Sequence, residues 1–170
     1  PPPPPPPPET ARADPQPELK PGEKPADKAA DAPKVPRFAS LRSDEVNLRA
    51  GPGTRYPIQW VYKRRDLPVE IERDFEAWRA IRDSEGVRGW VHQATLAGRR
   101  TFVVKGADAT LRADAKDSAS AVAVLKAGVI GRLRLCEPSN AWCEVRVGNH
   151  KGYLRRDQIW GLLPNEHVKP

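Results

Sequence analysis

The stretch Asn47-Leu48-Arg49-Ala50 recurs further along the chain as Thr110-Leu111-Arg112-Ala113, a shift of 63 residues from Leu48 to Leu111. Other segments repeat at nearly the same shift: residues 71–78 fall on 135–142, residues 89–91 fall on 152–154 and, upstream, Phe38 falls on Phe102. Self-similarity at a fixed period is the sequence signature of a repeated structural unit. We therefore expect two copies of one small fold, over residues 38–98 and 102–161.

Apolar and charged residues alternate within each copy, which is the pattern of a half-buried β-strand. Val69 and Ile71 flank Glu70 in the first copy, and Leu133 and Leu135 take the same places in the second. Hairpin loops are predicted after these strands, at residues 73–77 and 137–141. Short strands separated by Gly and Pro turns are typical of small barrels, so the chain is predicted to be all-β.

The motif Asn47-Leu48-Arg49-Ala50-Gly51-Pro52-Gly53, followed by an apolar stretch, a Val-x-Ile strand, a hairpin, a Trp strand and Gly89-Trp90-Val91, resembles the bacterial Src-homology-3-like domain. The second copy has Asp114-Ala115-Lys116 in place of Gly-Pro-Gly and Tyr153 in place of Trp90. The resemblance implies two tandem barrels of five or six strands each. It also implies an exported protein that binds cell-wall material (peptidoglycan) or envelope proteins and is not a catalyst.

The resemblance gives several residues a place in the barrel. We expect Leu48 in the core, and we expect Gly51 and Gly53 to adopt positive φ on either side of a fixed proline. Trp78 and Trp142 are expected to supply large buried side chains to cores of only about 60 residues. The connection between the copies is very short, so the barrels are expected to pack on each other as one compact body.

The two cysteines, Cys136 and Cys143, lie on opposite arms of the second predicted hairpin, where strand geometry allows a disulfide. A bridge closing this loop of about eight residues would stabilise the fold by roughly 2.5 kcal/mol. Free buried thiols, or redox or metal chemistry, are the alternatives, although the spacing is not Cys-x-x-Cys. A disulfide favours an oxidising compartment, so we expect a periplasmic or otherwise extracytoplasmic location.

The N-terminal 37 residues differ in composition from the rest, since they hold fourteen of the 20 prolines and no aromatic residue. Such a segment cannot bury enough apolar surface to fold and is predicted to be a disordered Pro/Ala/Lys-rich tail. Residues 1–8 are all proline and predict a stiff spacer, the alternative being a ligand for an aromatic groove. A start at proline suggests a removed signal peptide or trimming of the chain. Residues 162–170 are predicted to form a C-terminal tail.

Aromatic residues that the second copy does not keep are the candidates for ligand binding. Trp60 aligns with Ala123 and Phe75 with Ser139, and a position that tolerates Ala or Ser in one copy is expected near the surface. With Tyr56, these rings are predicted to form an exposed patch that could stack on sugars or receive a peptide. The alternative is that they form the interface between the two barrels.

Positive charge gives a second set of candidates. The chain carries a formal net charge of +7, and its basic residues cluster at Lys63-Arg64-Arg65, Arg99-Arg100 and Arg155-Arg156. Lys63, Arg64 and Arg65 are therefore candidate ligand contacts. Such clusters suit anionic wall polymers or acidic partners, or phosphates if the partner is a nucleic acid.

No catalytic or metal-binding motif is present in the sequence, and none of the three histidines, His92, His150 and His167, forms a motif with Cys, Ser or a carboxylate. We therefore predict no cofactor, no metal and no enzymatic activity. The sequence predicts an exported binding module for a cell-wall polymer or an envelope component. The alternatives are a scaffold that recruits an envelope enzyme or receptor, and a basic nucleic-acid-binding protein.

Overall fold

The computed structural model describes residues 34–170, so the predictions for residues 1–33, including the proline run, lie outside the described residues. Arg37 already belongs to the first strand, where it pairs with Ile71. The folded part therefore begins at least one residue earlier than residue 38. Within the described range, no helix is long and apolar enough to cross a membrane.

Seven strands and one short 3-10 helix form the first barrel. They are β1 Arg37–Leu41, β2 Val46–Arg49, β3 Ile58–Tyr62, β4 Pro68–Phe75, β5 Trp78–Arg82, β6 Arg88–His92, the helix Gln93–Thr95, and β7 Leu96–Ala97. The sheet order is β3-β2-β6-β5-β4-β1-β7.

The second barrel repeats this arrangement strand for strand. It consists of β8 Thr101–Val104, β9 Ala109–Arg112, β10 Ala121–Leu125, β11 Ile130–Cys136, β12 Trp142–Val147, β13 His150–Arg155, the 3-10 helix Arg156–Gln158, and β14 Ile159–Trp160. Its order, β10-β9-β13-β12-β11-β8-β14, is the order of the first sheet shifted by seven strands. The predicted all-β tandem repeat is confirmed. Each sheet has seven strands instead of five or six, because the two-residue strands β7 and β14 pair with β1 and β8 at one edge.

Each barrel has its own apolar core. Leu48, Val69 and Ile81 are fully enclosed in the first core, as expected for Leu48. Phe102 is the largest fully buried side chain of the second.

The two cores differ at one matched position. Phe102 pairs with Gly131 across β8 and β11, whereas the equivalent pair in the first barrel is Ala39 with Val69. A Cβ on Gly131 would lie 2.6 Å from Phe102 Cε1, so the large ring occupies the space that a side chain at residue 131 would need. The alignment of Phe38 with Phe102 was wrong by one residue, because Phe38 instead contacts Trp160 of the other barrel.

The predicted burial of Trp78 and Trp142 was wrong. Strand pairing slips by one residue after Ile71 in the first hairpin and after Leu133 in the second, as a β-bulge does. The slip reverses which face the following residues occupy, so Ile81 and Val145 are buried instead. Both tryptophans lie on the outer faces and are partly exposed.

Gly51 serves a different purpose from the one predicted. Neither Gly51 nor Gly53 is among the residues with positive φ. A Cβ on Gly51 would lie 2.5 Å from Cδ1 of Tyr56, so the absent side chain makes room for the tyrosine ring. The loop is therefore shaped by close packing on Tyr56.

The two barrels pack on each other, as expected. Phe38 and Trp160 meet edge to face with ring centroids 4.9 Å apart. The Thr101 hydroxyl donates to the Asp66 carbonyl at 2.7 Å, and Arg64 Nη1 donates to the Gly128 carbonyl at 2.9 Å. Residues Val35–Pro170 accordingly form one compact unit.

Residues 162–170, predicted as a tail, pack against the second barrel. Val168 is 4 % exposed and exchanges two backbone hydrogen bonds with Cys136, at 2.8 and 2.9 Å. Arg100 holds Glu166 through two hydrogen bonds, of 2.6 and 2.9 Å. An apolar anchor and an ion pair thus fix this segment.

Candidate ligand-binding surfaces

The disulfide joins Cys136 and Cys143, which are opposite each other on β11 and β12 with Cα atoms 4.5 Å apart. Both are fully buried in the core of the second barrel. At the equivalent register position, the first barrel has Asp74 opposite Arg79, joined by an ion pair of 2.9 Å. The bond therefore replaces an electrostatic link in the other copy, and its burial indicates a structural role.

Trp60 is the most exposed of the three aromatic residues predicted to bind a ligand. It lies on β3, which is an edge strand of the first sheet, and 55 % of its surface is accessible. Ile58, two residues earlier on the same strand, is 47 % exposed. In the second barrel, Ala123 holds the place of Trp60, since each is opposite the buried leucine of its motif.

The other two predicted aromatics lie elsewhere. Tyr56 packs on Gly51, and Phe75 is opposite Trp78 at the end of the β4–β5 hairpin. Among residues 34–170, no ring contact joins any two of Tyr56, Trp60 and Phe75. Their alternative role as the barrel interface is taken by Phe38 and Trp160 instead.

A second aromatic surface on the first barrel was not predicted from the sequence. Its outer face carries Trp78 against the His92 ring at 5.2 Å, and Trp90 under the Arg73 guanidinium at 5.1 Å. The strand register places these residues side by side with Phe75. With the β-bulge included, the alternation of residues along β5 and β6 places Trp78 and Trp90 on the outer face. Alternation without the bulge places Trp78 in the core, as the sequence analysis predicted.

The first basic cluster is largely compensated. Lys63 forms an ion pair with Glu45 at 2.6 Å, and Arg65 lies 3.5 Å from Asp44. Arg64 donates to a carbonyl of the second barrel. All three predicted contacts therefore have partners within the protein.

The remaining basic clusters are also engaged. Arg99 pairs with Asp66 at 2.7 Å and Arg100 with Glu166. Arg155 pairs with Asp117, and Arg156 donates to backbone carbonyls. These side chains hold loops and the C-terminal segment in place.

Asp83 and Tyr62 form the most buried polar contact of the first barrel. The Tyr62 hydroxyl donates to Asp83 Oδ2 at 2.8 Å, while Oδ1 accepts the backbone N–H groups of Glu85 and Val87 at 2.9 Å. Burial, and then the hydrogen bond to Asp83, raises the pKa of Tyr62 well above its usual range. One carboxylate oxygen closes the turn and the other accepts from Tyr62, so both are engaged, which indicates a structural contact.

The histidine nearest a candidate surface has a local structural role. His92 Nδ1 accepts the N–H of Ala94 at 3.0 Å and so begins the 3-10 helix of the first barrel. In the part of the chain that the structure describes, no three His, Cys, Asp or Glu side chains converge as metal ligands would.

Known structures show weak overall similarity to the chain. NlpC2 from Trichomonas vaginalis is 10% identical with a TM-score of 0.35, over 76% of this chain and 49% of that one. NlpC1 from Trichomonas vaginalis is 11% identical with a TM-score of 0.32, over 76% and 47%. The chain thus spans about half the length of these structures. No curated protein sequence matches it.

The family described as bacterial SH3 domain matches the chain twice, at residues 42–98 and at residues 105–161. Each match covers one of the two barrels except its first strand, β1 or β8, and together the matches cover more than half of the chain. The identical strand order of the two sheets agrees with this duplication. The chain belongs to the bacterial SH3 domain family.

Proposed function

We propose that this protein is a non-enzymatic, extracytoplasmic binding module that recognises cell-wall polymer, peptidoglycan in particular, through its first barrel. The observation that carries the proposal is the exposure of Trp60 and Ile58 on the edge strand β3. More than half of the indole surface is left in water beside a second exposed apolar residue, and exposed apolar surface of this kind marks candidate binding sites.

The chemistry of Trp60 suits a sugar ligand. An indole ring offers a broad apolar face for the C–H face of a sugar ring, and its N–H can donate a hydrogen bond. Ile58 is also exposed on β3, but a register shift separates it from Trp60, so the indole ring is the main apolar face offered to a ligand. The replacement of Trp60 by Ala123 in the second barrel removes this face, so we assign wall binding to the first barrel alone.

The extracytoplasmic location is supported by the buried disulfide. Structural disulfides form and persist in oxidising compartments and are rare in the cytosol. Membership of the bacterial SH3 domain family points the same way.

A scaffold for an envelope protein is the second candidate, and the edge position of β3 favours it. One side of β3 pairs with β2, whereas no strand of the described sheet pairs with its other side. An extended peptide could add there as a further strand, with Ile58 and Trp60 selecting its side chains. The nucleic-acid alternative has less support, because the basic clusters on which it depended are engaged within the protein.

A co-sedimentation assay with washed sacculi tests the proposal. We expect the full chain to sediment with sacculi and Trp60→Ala to lose most of that binding. Val124→Ala is the matched control, because Val124 is 67 % exposed on β10, the equivalent edge strand of the second barrel. Equal sedimentation of wild type and Trp60→Ala would refute the assignment. Capture of one envelope protein from extract, without binding to sacculi, would favour the scaffold.

A further inference from the structure

A row of four cations crosses the second barrel without an acidic partner. Arg132 on β11 is directly opposite Arg146 on β12, and Arg146 is directly opposite Lys151 on β13. Arg134 follows two residues after Arg132 on the same strand. We call Arg132, Arg134, Arg146 and Lys151 the cationic row. Within residues 34–170, no hydrogen bond or ion pair engages the side chain of any of the four.

In the first barrel, the four equivalent positions carry no net charge. Its equivalent positions are Glu70, Glu72, Arg82 and Arg88, and they form ion pairs with one another. Arg82 lies 2.5 Å from Glu70, and Arg88 lies 3.1 Å from Glu72. Two acidic residues of the first copy have therefore become two arginines in the second, and the local charge changes from zero to +4.

Like charges opposite each other on neighbouring strands destabilise a sheet. The fold does not need this arrangement, because the first barrel forms the same strands with a neutral row. The cationic row therefore destabilises the second sheet, and no ion pair within the described residues offsets this repulsion. Such a cost is expected where a ligand of opposite charge is bound.

The row opens into a cleft of about 270 Å³ between the two barrels. Arg132 and Arg146 line this cleft, together with Arg99 and Asp66 at its other side. Arg99 and Asp66 form an ion pair with each other, so the wall of the cleft retains two uncompensated guanidinium groups. The Thr101 hydroxyl, which also lines the cleft, already donates to the Asp66 carbonyl.

We propose that this cleft binds a phosphate group, held between Arg132 and Arg146. A phosphate monoester carries roughly −1.5 to −2 charge at neutral pH, which matches the two uncompensated guanidinium groups better than a single carboxylate does. Guanidinium forks bind phosphate oxygens through paired, charge-assisted hydrogen bonds. Arg134 and Lys151 do not line the cleft, but as the other members of the cationic row they would attract further anionic groups of the same ligand. The two arginines are on the other barrel from Trp60, so the site is independent of wall binding through Trp60.

Titration of the full, oxidised chain with inorganic phosphate at constant ionic strength tests the site, with chloride as the balancing anion. We expect saturable amide shifts in NMR spectra around β11 and β12. Arg132→Glu should lose affinity about tenfold or more, as expected when a charge-assisted contact is removed. It should also fold well, because it recreates the Glu70–Arg82 pair of the first barrel. Lys116→Glu, an exposed loop position with the same charge change, is the matched control and should bind as wild type does.

Two results would overturn the proposal: no saturable shift with phosphate, or an equal loss of affinity in Arg132→Glu and Lys116→Glu. The source of the phosphate is resolved by a second measurement with vesicles. Binding to phosphatidylglycerol vesicles that depends on Arg132 indicates a lipid headgroup as the source. Phosphate binding without vesicle binding indicates a soluble or polymeric phosphate ligand instead.

Discussion

The second core has Phe102 and Gly131 where the first has Ala39 and Val69. We therefore predict that Gly131→Val destabilises the wild-type protein but stabilises a Phe102→Ala variant. Phe102→Ala removes a fully buried ring from the second barrel, and the cost is about 3–5 kcal/mol of the free energy of unfolding. Gly131→Val alone should also destabilise, by about 1–3 kcal/mol, because the new side chain would meet Phe102 and Val147. In the Phe102→Ala background, the same change recreates the Ala39–Val69 pair of the first barrel.

Gly131→Val should therefore stabilise the Phe102→Ala protein by about 1.5–3 kcal/mol, the value of burying one valine side chain. Urea unfolding at equilibrium, followed by fluorescence, measures all four proteins, with slopes expected near 1–3 kcal/mol per molar urea. Gly152→Val is the control, because its Cβ would lie 2.6 Å from the Arg112 carbonyl and not near Phe102. If Gly131→Val destabilises both backgrounds equally, the two positions do not share one space and the matched register is wrong.

Three further predictions concern single contacts. Reduction of the Cys136–Cys143 bond should lower the free energy of unfolding by about 2.5 kcal/mol, measured by urea unfolding with and without reductant. An unchanged midpoint would contradict this. Tyr62→Phe should lower the free energy of unfolding by about 1 kcal/mol, because the Asp83 carboxylate keeps its two backbone donors. Asp83→Ala should lower it more, because the buried Tyr62 hydroxyl is left unpaired. Thermal melting of both variants tests this ranking, and equal losses would refute it. Burial raises the pKa of the Glu166 carboxyl, but hydrogen bonds from Arg100 and Leu163, together with the charges of Arg100 and Arg156, leave it below its usual value in the folded state. Glu166 thus contributes stability above pH 4.5, its usual pKa, and this contribution disappears as pH falls through the lowered value. Stability measured from pH 6 to pH 2 should fall less steeply in Glu166→Gln, and identical slopes would exclude the contact as a source of acid sensitivity.

The repeat predicted the architecture well, because a duplicated sequence gives a duplicated fold. Residue faces were predicted less well after the β-bulges at Ile71 and Leu133. A bulge adds one residue without a distinctive sequence pattern, so regular alternation assigned Trp78 to the core and missed the outer aromatic face. The cysteine pair was predictable because it needs only two opposing strands, which the hairpin provided.

The candidate surfaces depended on long-range contacts that the sequence does not display. Lys63 looked like a ligand contact from its neighbours in the chain, yet its partner Glu45 comes from another turn of the barrel. The cationic row could be seen only after the register placed Arg132 opposite Arg146. Val168 likewise showed no pattern that would pair it with Cys136.

The different partners of Phe102 and Val69 also bear on how a duplicated chain avoids misassembly. Two copies with the same strand order can exchange strands while they fold, which is a known failure of repeat proteins. Pairing β1 with β11 would bring Ala39 against Gly131 and leave a cavity, whereas pairing β8 with β4 would force Phe102 against Val69. Each wrong pairing is unfavourable because the volumes of the facing side chains do not match. The divergence of the two cores thus favours the pairing of β1 with β4 and of β8 with β11 over the exchanged pairings.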